Sequence, residues 1–281
     1  MMTLYYEGSD GSIINFMEYP VFAQDPESLT SSKWSYSTIS GVNGLGRVKR
    51  FYKDTQETTL TLGIMADNAE EFNNIMSMIH RVFDRDVRRM KPGRLWWNGF
   101  YKEVFAVETN NSEFEELFES VEREVKFISV YPYWVKEYTY QYLTDAENAG
   151  ALDYDDSVLD YDDFDYDLDV MIETIENHGI NKSNFEIKFY GPVNNPAVTV
   201  GDHVYELLTD LNAGEYATIN SLTKKILQYD IYGNVANIFH LRSRESYIFE
   251  PIPEGTTTIT RDKTVNVDIT LFDERGEPEW I

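Results

Sequence analysis

The chain is 281 residues long, carries a formal net charge of −25 and contains no cysteine. That length is enough for two domains with separate cores, and the lack of thiols excludes disulfides, thiolate metal sites and cysteine nucleophiles. Twenty Tyr and sixteen Phe favour β-rich structure, while the strongly acidic balance, 49 acidic against 24 basic residues, argues against nucleic-acid or anionic-lipid partners.

The first residues, MMTLYYEGSDGS, show no basic region followed by an apolar run, so no signal peptide is expected. No stretch approaches 18 uninterrupted apolar residues, which predicts no membrane-spanning helix. Gly41-Val42-Asn43-Gly44-Leu45-Gly46 resembles a glycine-rich phosphate loop. Arg47 to Tyr52 then reads as a strand, so no helix N-terminus would meet a phosphate and a plain loop is expected.

One helix is predicted over 68–89. Asn68 and Glu71 form a capping pair, and Phe72, Ile75, Met76, Ile79, Val82 and Phe83 recur at helical spacing. Arg85, Arg88 and Arg89 suit its C-terminal dipole, and Lys91-Pro92-Gly93 is expected to stop it. His80 lies beside the apolar stripe, where a packed histidine is the ordinary outcome. Asn98-Gly99, flanked by aromatics, predicts a tight hairpin because both residues tolerate positive φ. Val104 to Val107 and Val121 to Val130 read as strands on either side of the acidic Glu113 to Glu119.

Residues 138–181 hold thirteen acidic and no basic side chains. Within them Leu152 to Asp169 has nine Asp and four aromatics among eighteen residues. Asp165, Asp167 and Asp169 fall at positions 1, 3 and 5 of an EF-hand loop and Glu176 at position 12, but Val170 stands where the loop needs Gly. The alternation of Phe164, Tyr166, Leu168 and Val170 with Asp fits a solvated acidic edge strand instead. No metal site and no cofactor are expected.

Beyond it every segment reads as β: Phe185 to Tyr190, Val198 to Val200 and His203 to Tyr205 around Gly201-Asp202, Tyr216 to Ile219, Ile226 to Tyr229, Tyr247 to Phe249, Thr256 to Thr260 and Val265 to Leu271. Short strands at this spacing suggest a β-sandwich, and the ending GEPEWI reads as a surface tail. His80, His178, His203 and His240 share no metal-binding spacing, and no nucleophile elbow or Walker loop is present. A carboxylate-based glycosidase has no pair of residues to point to. Trp96, Trp97, Tyr101, Tyr131, Tyr133 and Trp134 read as core, with a sugar-stacking platform or interface anchors as the functional alternative.

The order of these features resembles the distal tail protein (Dit) family of siphophages and prophages of Gram-positive bacteria. The resemblance rests on the helix at 68–89 leading into GRLWWNGFYKEVFAV, on VKFISVYPYW, and on NPAVTVGDHVYELLTDLNAGEYATINSLTKKI after an acidic, tyrosine-rich stretch. It implies a mainly β chain with one helix in an α+β N-terminal domain, 1–137, that forms a tail ring. A galectin-like β-sandwich, 138–281, would follow, entered through an acidic Asp/Tyr-rich segment at 145–176. It further implies a non-enzymatic tail-tip component of the virion, a hub in a homo-oligomeric ring, commonly a hexamer. Its partners would be the tail tube protein, a tail-associated host-facing protein and receptor-binding proteins. The alternative is a carbohydrate-binding β-sandwich module contacting cell-wall sugars.

Overall fold

The computed structural model describes residues 2–41, 46–111, 120–144 and 170–279. They fall into two compact units, Met1–Lys136 with Glu274–Ile281, and Glu137–Asp273. Both are β-rich, and among the described residues there is a single α-helix.

The first unit contains β1 (Leu4–Glu7), β2 (Ile13–Asn15), β3 (Met17–Glu18), β4 (Val21–Ala23), β5 (Ser35–Ser40), β6 (Gly46–Tyr52), β7 (Gln56–Met65), α1 (Ala69–Arg89), β8 (Gly93–Trp97), β9 (Phe100–Asn111), β10 (Ser120–Ser129) and the start of β11 (Trp134–Tyr142). Antiparallel pairing runs β2-β1-β8-β9-β10-β7-β4-β3. Phe16, between β2 and β3, closes the circuit. Its N–H donates to the Leu4 carbonyl at 3.0 Å, and its own carbonyl accepts from the Ala23 N–H at 2.7 Å. A sheet closed on itself pairs edges that would otherwise template aggregation.

The predicted helix is α1. Asn68 Oδ1 accepts the Glu71 N–H at 2.9 Å, and the Glu71 carboxylate turns back to the Asp67 N–H. Asn68→Ala is expected to cost about 1 kcal/mol, read as a lowered thermal midpoint. Phe72, Ile75, Ile79, Val82 and Phe83 are buried as the stripe requires. Phe83 meets Tyr6 and Phe127 edge-on, with centroids at 4.9 and 5.9 Å. Asp86 also points inward and accepts from Tyr6 Oη at 2.7 Å, Ser9 N at 3.0 Å and Ser9 Oγ at 2.5 Å. His80 lies exposed, off the stripe. The helix stops at Met90, in the left-handed region with φ 52°, just before the expected Lys-Pro-Gly. Asn98 and Gly99 both have positive φ and join β8 to β9 in the predicted tight turn.

The second unit takes the rest of β11 and then β12 (Val170–Asn177), β13 (Asn184–Tyr190), β14 (Val193–Asn194), β15 (Ala197–Val200), β16 (His203–Glu206), β17 (Asp210–Leu211), β18 (Tyr216–Asn220), β19 (Lys225–Tyr229), β20 (Val235–Asn237), β21 (Gly255–Asp262) and β22 (Asn266–Arg275). One sheet is ordered β20-β19-β18-β13-β22-β11, the other β12-β21-β15-β16. Their inward residues share one core, Phe185, Ile187, Phe189, Ile219 and Ile269 meeting Ile175, Val198, Tyr205 and Ile259. The Phe185 and Tyr205 rings touch edge-on at 4.9 Å. This is a sandwich of two antiparallel sheets.

Two sequence expectations change. Tyr247–Phe249 is a turn rather than a strand, with Glu250 N–H donating to the Tyr247 carbonyl at 3.0 Å. Pro251 and Pro253 follow at once and could supply no ladder donors. The ending GEPEWI, expected to be a surface tail, falls over its described residues with the first unit. There Pro278 is buried and Arg275 Nη1 lies 2.5 Å from Glu279 Oε1.

Candidate interaction surfaces

Among the described residues β5 and β6 pair only with each other. Their strand-forming residues find no core: Tyr36 and Phe51 are 63% exposed, Ile39 54% and Val48 51%. Tyr36 and Phe51 are cross-strand partners with rings 6.4 Å apart, which steadies the register. Arg47, Lys49 and Arg50 stand among them, also exposed. A lone two-stranded hairpin is marginal in water, so its root has to be held.

It is held by polar ties and by two lysines. Ser35 Oγ donates to Asp54 at 2.5 Å and Gln56 Nε2 to the Ser31 carbonyl at 2.8 Å. Lys53 Nζ donates to Ser32 Oγ at 3.0 Å and to the Pro132 carbonyl at 3.2 Å, over the rings of Trp34 and Tyr133. Burial lowers its pKa, with Glu277 pulling the other way. Lys102 lies deeper, 3% exposed, with Nζ 4.7 Å from the Trp134 centroid and 3.4 Å from Gln56 Oε1. Burial first, and the Lys53 charge second, bring its pKa down to about 7.

In the second unit a different cluster brackets the acidic segment. Arg261, 2% exposed, donates to Glu173 Oε2 at 3.0 Å, to the Val265 carbonyl at 2.6 Å and to the Leu143 carbonyl at 3.1 Å. Tyr142 Oη donates to the Thr174 carbonyl at 2.9 Å and Tyr140 Oη to the Glu176 carbonyl at 2.5 Å. The chain leaving at 144 and returning at 170 is thus tied together at its base, and the tyrosines cap outward carbonyls on edge strand β12. A second tight feature is the β19–β20 turn, where Asp230 accepts the Tyr232 and Asn234 N–H groups, each at 2.8 Å. It displays Ile231 and Tyr232, 60% and 84% exposed.

The residues singled out from sequence separate widely. Asp165, Asp167 and Asp169 lie outside the described residues, as do Val42 to Leu45 of the glycine-rich loop. Glu176 sits in β12, with Oε1 3.6 Å from His178 Nδ1. Of the aromatic set, Trp97, Trp134 and Tyr101 are core residues at 1%, 0% and 6% exposure. Trp96 stacks on Tyr5 and donates to Glu7 at 2.7 Å, while Tyr131 and Tyr133 pack on each other at 4.9 Å. No continuous stacking platform forms from these six, and Trp134 cannot meet a sugar. No helix among the described residues is long and apolar enough to cross a membrane.

A closed sheet circuit with a two-stranded hairpin, followed by a two-sheet sandwich, gives the chain a fold similar to that of the SPP1 Dit protein and of a phage P2 baseplate chain. It is similar over 98% of its length to 99% of the SPP1 Dit (gp 19.1) protein, described as a paradigm of hub adsorption apparatus in Gram-positive infecting phages, at 11% identity and a TM-score of 0.56. Two structures of the phage P2 baseplate in its activated conformation are also similar. The one with Ca matches 99% of this chain to 100% of its own at 12% identity and TM-score 0.64. The one with Sr matches 96% to 98% at 13% and 0.61. No family model matches the sequence, and no curated protein matches it.

Proposed function

We propose that this protein is a non-enzymatic structural hub of a phage tail tip, assembled as a homo-oligomeric ring, a hexamer in the simplest case. The tail tube protein and a host-facing tail protein would sit on its two sides. The second unit serves as the galectin-like outward domain and carries receptor-binding proteins. The observation that carries this reading is the β5–β6 hairpin, which exposes four large apolar or aromatic side chains and joins no other sheet among the described residues. Exposed apolar surface of that kind marks an interaction site, and head-to-tail contact between identical copies closes into a ring. The full-length likeness in fold to baseplate proteins supports the setting.

Size-exclusion chromatography with light scattering tests it, with and without the tail tube protein. The chain is expected to run as a ring-sized oligomer, and Tyr36→Ser with Phe51→Ser to run as a monomer with an unchanged thermal midpoint. A wild-type chain that stays monomeric under both conditions refutes the ring.

A further inference from the structure

The outer face of α1 is the second cationic surface of a very acidic chain. Arg81, Arg85, Arg88 and Arg89 line, with Asp84, a shallow depression of about 440 Å³. Their spacing places them on one helix face. Arg88 is held by Asp84 at 2.6 Å and Arg85 by Asp10, whereas Arg81 and Arg89 pair with no described residue. The hairpin mixes its cations with apolar side chains, but this face sets four arginines around a single Asp84. Guanidinium takes carboxylate in a two-pronged grip and stacks on aromatic rings. A fitting ligand alternates carboxylates with aromatics.

Such a ligand is encoded in the same chain. Leu152 to Asp169 interleaves nine Asp with four aromatic residues. The described residues on either side of it are joined, Leu143 to Glu173 through Arg261 and Tyr142 to Thr174 directly. Copies carrying −25 each repel one another, and an assembly gains where acid on one copy meets base on the next.

We propose that the arginine face of α1 is a docking site for the acidic segment 152–169 of a second copy of this chain, a contact that rests on the ring reading for its setting. The closing experiment uses a fluorescein-labelled peptide, LDYDDSVLDYDDFDYDLD, titrated against the full chain by fluorescence anisotropy. The acceptor chain carries D160N/D162N/D163N/D165N/D167N, so that its own segment does not compete. Saturable binding is expected that weakens as salt is raised and weakens at least about tenfold in R81E/R89E. The thermal midpoint should not move, because both side chains are exposed. Y36S/F51S is expected to bind the peptide normally. Absence of binding, or equal binding by R81E/R89E, overturns the docking. Binding lost in Y36S/F51S overturns it too, in favour of the hairpin as acceptor. A chain that remains monomeric yet binds through its arginines keeps this docking and removes the ring; a ring former whose R81E/R89E variant binds the peptide as before does the reverse.

Discussion

Replacing Lys102 by methionine is expected to stabilise the fold by about 3 kcal/mol at neutral pH. The amine is 3% exposed and forms no ion pair with any described carboxylate, so its charged form meets the cost of leaving water with only a π face and one amide oxygen in return. Its folded pKa, about 7, lies below that of a free lysine. Above pH 7 the unfolded chain therefore holds a proton that the folded chain has released. Stability should rise with pH from about 7 upward, by roughly 1.4 kcal/mol per unit, and should be lost again as pH falls back to 7. Tyr6 and Tyr131 act with opposite sign, since burial first of all raises their folded pKa. Their contribution is intact below pH 10 and fades above it, which sets a stability maximum near pH 9 to 10. Denaturant titrations of wild type and Lys102→Met from pH 6 to 9 test this. If the two chains show the same slope, Lys102 is charged in the folded state and the burial argument fails.

Arg261→Leu should be the most damaging single change in the second unit, costing roughly 3–5 kcal/mol. Leucine fills much of the space but leaves the Val265 and Leu143 carbonyls without their donor and Glu173 without its cation. Each orphaned polar group costs on the order of 1–3 kcal/mol where water cannot replace the lost partner. Glu173→Gln should cost less, because Glu173 is 32% exposed and the two carbonyl bonds survive. Urea unfolding of both variants beside Arg47→Leu, on the exposed hairpin, gives the comparison. An Arg261 variant no weaker than the Arg47 variant would mean that the three bonds add nothing net.

The parts of the fold legible in the sequence are those decided within a few residues. Asn68 and Glu71 fix where α1 begins, its stripe fixes which face is buried, and Asn98-Gly99 fixes a turn that needs positive φ twice. What escaped depends on distant partners. Arg47 to Tyr52 is recognisably a strand, but nothing local says that its sheet ends after two strands. Lys102 looks like an outward residue on an alternating strand, yet Phe100, Tyr101 and Lys102 are all buried because β9 is covered on both faces there. Tyr247–Phe249 has strand composition, but the prolines after it were the stronger signal. Arginine at 85, 88 and 89 reads as dipole chemistry, and the surface these make with Arg81 emerges only once the opposite face is seen to be filled.

The tied base around Arg261, Tyr140 and Tyr142 makes the span between 144 and 170 a cassette. Both of its ends are fixed by bonds that belong to the sandwich, so a change in its length leaves those bonds in place. Doubling the length of such an insert costs only about 0.6 kcal/mol in closure entropy. The points where the chain leaves and re-enters the sandwich are therefore set by the scaffold, and an engineer lengthening the stretch between them meets only that small entropic cost at its base.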